Sequence, residues 1–465
     1  MGKRKRQRQA SLWVETARLA KGPSHPFYRR LNQILGRRGF DGFVEGACQQ
    51  FYSETVGRPS LAPAVYFRML LVGYFEGIDS ERGIAWRVAD SIGLREFLGY
   101  ALTDATPDHS TVSRNRRLID LQTHQEVFVW VLQVLAKEGL LQGETLGVDA
   151  TTLEANAALR SIVRRDTGES YQEFLTRLAQ ASGIETPTRE DLARLDRKRP
   201  KKGSNDDWQH PQDPDAKITK MKDGRTHLAH KAEHAVDMES GAVVAVTVQP
   251  ADRGDTTSLE ETVQEVMDTL ADVLEDQEAA ECLGEDLLSE VVADKGYHSN
   301  AVLAGRQALG IRTYISEPGR GRRRNWRGKS AERRATYANR RRIRGERGKR
   351  LLRSRGEILE RGFAHCYDTG GMRRVHLRGR QNIAKRLLVH VAGFNLSLIL
   401  RRSLGVGTPR GLQGTRAGRL FLLLTYLLNA TVTLLGSIRT GLEHLLARRD
   451  HHPVFLQPLA SVRVA

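Results

Sequence analysis

The chain has 465 residues, enough for about three domains at roughly 150 residues each and for at least one large buried core. Lys and Arg outnumber Asp and Glu by 73 to 55, and a formal charge of +18 points to a polyanionic partner, nucleic acid first and an acidic membrane second. Three cysteines, Cys48, Cys282 and Cys366, stand far apart with no CxxC pair, which argues against a disulfide framework or a zinc ribbon and suits a reducing cytosol.

Residues 1–22 form a basic arm, with Lys3, Arg4, Lys5, Arg6 and Arg8 able to lie along phosphates. No apolar stretch follows them, and Arg6 stands where a myristoylation pattern needs Ser or Thr, so no export or lipid signal is expected. Residues 23–135 read as short helices. In LAPAVYFRMLLVGYFEG, Val65, Met69 and Val72 share a face and Gly77 marks the exit; in the next segment Ile84 and Val88 sit four apart. TPDHSTVSRNRRL then offers Asp108 or Ser110 as a cap for a short basic helix. The order resembles a helix-turn-helix, which makes this the expected DNA-binding domain, with Ser110, Ser113, Arg114, Asn115 and Arg117 towards DNA.

Near residue 145 the pattern changes, and LGVD predicts a strand ending in Asp149. Residues 157–226 are polar and broken, an expected insertion or long flexible loop. HLAHKAEHAVD and GAVVAVTVQPAD predict a hairpin around Glu239, Ser240 and Gly241. Leu259, Val263, Val266, Leu270 and Val273 predict a helix, with Thr257 and Glu260 in capping-box spacing. EVVAD is the next predicted strand, ending in Asp294; a helix near 299–309, the strand IRTYISEP and a helix over about 350–364 follow. This order implies an α/β domain over 140–400, a mixed sheet flanked by helices that resembles the ribonuclease-H-like core.

Residues 319–350 read as a basic linker. From Arg320 to Arg355 there are 17 Lys or Arg against Glu332 and Glu346, a net +15 with Trp326 and Tyr337 interleaved. Arg322, Arg323, Arg324, Arg340, Arg341 and Arg342 are the expected phosphate contacts. Residues 401–465 read as helical. Within them Leu420–Ile438 is uncharged, but Asn429 and several Thr interrupt it and arginines flank it, so a buried or partner-binding helix is expected and no membrane association.

Breaking a phosphodiester requires an activated hydroxyl, neutralised phosphate charge and a stabilised leaving oxygen, which two Mg2+ ions roughly 3.5–4 Å apart can supply. Mg2+ takes a few carboxylates and leaves its other positions to water and phosphate. If the two predicted strands are neighbours with similar polarity, Asp149 and Asp294 emerge side by side at one sheet edge. Glu360, on the helix after the basic stretch, could reach the same edge, with Glu357 one turn earlier as the alternative.

The elements GVDATTLEAN, HKAEHAVD, VTVQPADRGDTTSL, VVADKGYHS and RSRGEILERGFAH occur in the order of the insertion-sequence DDE transposases, and the likeness spans roughly residues 25–400. It is closest to the group containing the IS-Four and IS-Five classes. The resemblance implies Asp149, Asp294 and Glu360 as metal-binding catalytic carboxylates, Mg2+ as cofactor with Mn2+ as a substitute, and Lys295 and Arg361 beside the DNA. The usual Tyr, Arg and Lys around the glutamate are displaced here, and Arg355 is a candidate for the arginine. The resemblance further implies nicking at terminal inverted repeats, strand transfer into target DNA, a homo-oligomer on DNA and a bacterial, nucleoid-associated cytoplasmic protein. A metal-dependent nuclease without strand transfer and a regulator derived from an inactive element are the competing functions.

His227, His230 and His234 have no Cys or further His to complete a zinc set, and a polar strand face is the expected role. Asp255 is read as a helix cap.

Overall fold

The computed structural model describes residues 25–52, 60–199, 203–221, 224–319 and 325–414. The basic arm, Arg322, Arg323, Arg324 and the Leu420–Ile438 stretch lie outside them. The chain divides into two units, 1–409 and 410–465, and of the second only residues 410–414 are described.

Seven helices come first: α1 (Pro26–Arg37), α2 (Phe40–Cys48), α3 (Pro63–Glu76), α4 (Glu81–Asp90), α5 (Ile92–Phe97), α6 (His109–Leu118) and α7 (Leu121–Lys137). Gly77 ends α3 at φ 67, the left-handed conformation that glycine adopts without strain. Ser80, Ser91, Asp108 and Asp120 cap α4, α5, α6 and α7 through their side chains.

Then follow β1 (Thr145–Glu154), β2 (Val163–Arg164), α8 (Tyr171–Ala181), α9 (Arg189–Lys198), β3 (Trp208–Gln209), β4 (Lys217–Lys220), β5 (Thr226–Asp237) and β6 (Val243–Pro250). The chain continues through α10 (Asp255–Leu274), α11 (Gln277–Cys282), β7 (Glu290–Ala293), α12 (Asn300–Ala308) and β8 (Arg312–Ile315). Last come α13 (Ser330–Arg344), α14 (Glu346–Phe363), a π-helical turn over Ala364–Thr369, α15 (Arg380–Leu404) and α16 (Pro409–Gly414).

One sheet runs β4-β5-β1-β7-β8, with β6 also paired to β5. β5 is antiparallel to β1 and to β6, whereas β1, β7 and β8 are mutually parallel. This is the mixed, helix-flanked sheet of the expected α/β class. β5 and β6 form the predicted hairpin.

Four readings are changed or narrowed. The described residues of 157–226 form a folded insertion, the other alternative to a flexible loop: Trp208 packs with Ile162, Ala155 and Leu228, with Tyr171 and Phe174 against it, and Leu175, Ala179 and Leu192 form a second cluster. Its few apolar residues are spread too thinly along the sequence for periodicity to register. Much of the basic linker is helix, because α13 occupies residues 330–344 and α14 already begins at Glu346. Helix α10 starts at Asp255 behind Gly254, so Thr257 and Glu260 make no capping box; Thr257 donates to the Gly254 carbonyl and Glu260 pairs with Arg306. Asn115, expected towards DNA, is buried, accepting from the Tyr52 hydroxyl at 2.7 Å.

Helix α15 joins the two halves of the first unit, packing on α3 and α7 and also on β6. Lys385 donates to the Arg116 and Ile119 carbonyls at the end of α6, at 3.1 and 2.7 Å. Asn395 closes both hydrogen bonds of Val243 at the start of β6. By length and composition α15 could cross a membrane, but its apolar window is 89% buried inside the protein, as the core helix of a globular fold would be.

Candidate active site

Asp149 is not at a strand end, since β1 continues to Glu154. The parallel register brings Val148 level with Ala293, so Asp149 and Asp294 occupy the next positions on adjacent strands. β7 stops there, and Asp294 opens a tight turn over Lys295–Tyr297. The two carboxylates therefore share one place along the sheet, the parallel register supplying the adjacency that the strand pattern left as a condition.

Helix α14 crosses β1 at Gly147. A Cβ there would stand 2.8 Å from Leu359 Cδ1 and 2.6 Å from Met238 Sδ, so glycine is what permits the crossing. From this helix Arg355 Nη1 donates to Asp149 Oδ2 at 2.8 Å, and Arg355 Nη2 lies 4.0 Å from Asp294 Oδ1. Burial raises the Asp149 carboxyl above its ordinary value, and the charge of Asp294 adds to this; Arg355 and the Ala150 N–H pull it back.

Glu360 is exposed, and among the described residues its side chain has no hydrogen bond or ion pair. It follows Leu359, the residue seated on Gly147. The opposite flank of the helix, with Ile358, Arg361 and Gly362, lines a hollow against the turn Glu239–Gly241. Glu357 is exposed and paired with Arg361 at 3.2 Å. Among the described residues no group of three His, Cys, Asp or Glu converges as a metal cage, so the structure brings Asp149 and Asp294 together and does not bring Glu360 to them.

Of the expected DNA contacts, Arg114, Arg117, Lys295 and Arg341 are exposed. Arg340 is engaged by Glu317 at 2.7 and 2.9 Å, and Arg342 by Thr313. His230 and His234 are buried and bonded to Asp213 and the Tyr367 hydroxyl. Burial lowers the His234 imidazole to about 3, so it is neutral at physiological pH.

A buried polar network beneath the turn escaped sequence reading. Glu233 accepts from Tyr297 at 2.7 Å, from Ser258 at 2.8 Å and from Thr262; Lys231 reaches Asp255 at 2.7 Å and Ser258 at 2.8 Å. Asp255 is thus an ion-pair partner, and a Cβ on Gly296 would meet its Oδ2 at 2.5 Å. The signal available was Lys231 and Glu233 two apart in a predicted strand, charges on one face that demand partners if that face is buried.

The family pattern described as Transposase DDE domain matches residues 194–396, and that described as Transposase domain (DUF772) matches residues 17–118. The chain belongs to the insertion-sequence DDE transposases. No curated protein and no solved structure matches it. The DDE match includes Asp294 and Glu360 but begins after Asp149, whose placement rests on the β1–β7 register. Members of this family cut and transfer phosphodiester bonds in DNA and use divalent metal ions. In this transposase two convergent carboxylates supply hard oxygen donors, and the position of the Arg355 guanidinium marks the spot as one that attracts positive charge, so the donor set fits such ions.

Proposed function

We propose that the transposase cleaves DNA at the terminal inverted repeats of its element and joins the freed 3' hydroxyl to target DNA, with Asp149, Asp294 and Glu360 as the catalytic carboxylates. The juxtaposition of Asp149 and Asp294 on parallel neighbouring strands carries this reading. The cofactor is Mg2+, as two ions, with Mn2+ able to replace it; when bound, it neutralises phosphate and stabilises attacking and leaving oxygens.

Asp149 and Asp294 hold the ions from the sheet, and Glu360 completes the set from α14. Glu360 is favoured over Glu357 because Leu359 beside it seats the helix two residues from Asp149, whereas Glu357 is paired with Arg361. Lys295, next to Asp294 and exposed, holds backbone phosphate at the cut, and Arg341 extends that contact along α13. Arg114 and Arg117 on the exposed side of α6 hold the element end. Two element ends require more than one protomer, so the working form is a homo-oligomer on DNA.

The test is incubation of the purified chain with Mg2+ and DNA carrying candidate element ends. Free 3' hydroxyls and joined products are expected, both abolished in Asp149→Ala, Asp294→Ala and Glu360→Ala while DNA binding persists. Cleavage without joining would leave a nuclease, and a dead Glu357→Ala beside an active Glu360→Ala would reassign the third carboxylate.

A further inference from the structure

Among the cations of α14, Arg347 pairs with Glu290, Lys349 with Glu346 and Arg361 with Glu357, one acid each. Arg355 differs, reaching both Asp149 and Asp294 through the two ends of one guanidinium. Its side chain is only 13% exposed, and its Nε is buried without a hydrogen-bond partner among the described residues. The stem runs over the bare backbone of Gly147, with Arg355 Cγ 3.5 Å from where a Cβ would stand. The planar fork is thus held over the same oxygens that a divalent ion needs.

We infer that Arg355 is a built-in placeholder for the catalytic metals: it gathers Asp149 and Asp294 in the metal-free protein and must leave them before the ions can bind. The inference rests on the assignment of these two aspartates as metal ligands. Without a cation between them, two carboxylates side by side repel, and one of them is largely buried. Arg355 relieves that repulsion, but as a tethered competitor it lowers the apparent affinity for metal by the fraction of time the aspartates are free of it. A DNA phosphate arriving at the same edge offers the guanidinium another anion with bidentate geometry. DNA and metal would then each favour the binding of the other, by reciprocal linkage. The placeholder would keep a nuclease-like centre poorly loaded until substrate is present.

The experiment is calorimetric titration of Mn2+ into the full chain without DNA, in mildly alkaline buffer where aspartates are ionised. Wild type, Arg355→Gln, Arg355→Lys and the double variant Asp149→Asn/Asp294→Asn are compared. If the guanidinium occupies the site about nine-tenths of the time, Arg355→Gln binds Mn2+ roughly tenfold more tightly. Arg355→Lys, which keeps the charge and the stem but loses the fork, falls between the two. Equal or weaker binding in Arg355→Gln overturns the placeholder, because a residue that merely preorganises the aspartates would weaken metal binding when removed. Should Arg355→Gln fail to fold, affinity in Arg355→Lys no tighter than in wild type is the overturning result. Loss of Mn2+ binding in the double variant separates the two levels. Where that loss occurs without a gain in the Arg355 variants, only the placeholder falls; where it does not occur, the ligand assignment falls and the placeholder with it.

Discussion

The hydroxyl of Tyr297 donates to Glu233 Oε1 across 2.7 Å, tying the turn that follows Asp294 to a carboxylate buried on β5. Asp294 is itself half exposed and lies at the end of its strand, so its position depends on what anchors the next three residues. Tyr297→Phe removes that anchor and leaves Glu233 with one donor fewer. A loss of about 1–2 kcal/mol in stability is expected from a buried carboxylate deprived of one hydrogen bond, read from the urea midpoint. An unchanged midpoint would show that the hydroxyl contributes nothing.

Asp149 carries a pH prediction of definite sign. Its folded carboxyl is raised, so the folded state holds the proton more tightly than the unfolded chain. The resulting stabilisation is fully present below the ordinary aspartate value and is lost as pH rises through the raised one. At neutral pH the ionised group therefore works against folding, and Asp149→Asn should melt at a higher temperature than wild type in metal-free buffer. A lower melting temperature would mean that the bond to Arg355 outweighs burial.

Gly73 bears on how the two halves of the first unit are joined. A Cβ at this position in α3 would stand 2.0 Å from Arg386 Nη2, and Arg386 is buried on α15 with its guanidinium given to the carbonyls of Leu70 and Ile78 at 3.1 and 3.2 Å. Gly73→Ala should cost about 1–3 kcal/mol by overpacking. The helical part and the sheet should still melt in a single transition, followed by circular dichroism and by tryptophan fluorescence. Two separate transitions in wild type would contradict the packing of α15 on both.

Much of the centre was legible because it depends on local signals. Apolar runs ending in Asp149 and Asp294 marked two strands, and only their adjacency and polarity had to be supplied by tertiary structure. The proposal of Glu360 rests on resemblance alone, since a helix face is defined by what it packs on and Gly147 gives no hint in sequence of the helix above it. The charged stretch after residue 319 misled for a related reason. Arg and Lys are good helix formers, yet a segment of high charge looks like a solvated linker until partners such as Glu317 and Thr313, brought from elsewhere in the chain, are in view. Arg355 belongs with these, as its bridge spans 206 positions to Asp149.

Because α15 is a wall shared by the α6 helix and the catalytic sheet, the helix proposed to grip the element end and the edge proposed to cut it ride on one body. The interval between grip and cut is then a dimension of the protein, like the gap in a pair of calipers, and not a matter of how a linker happens to swing. Changes on the outer side of α6 could teach such an enzyme a new terminal sequence. They would not change how far from that sequence it cuts.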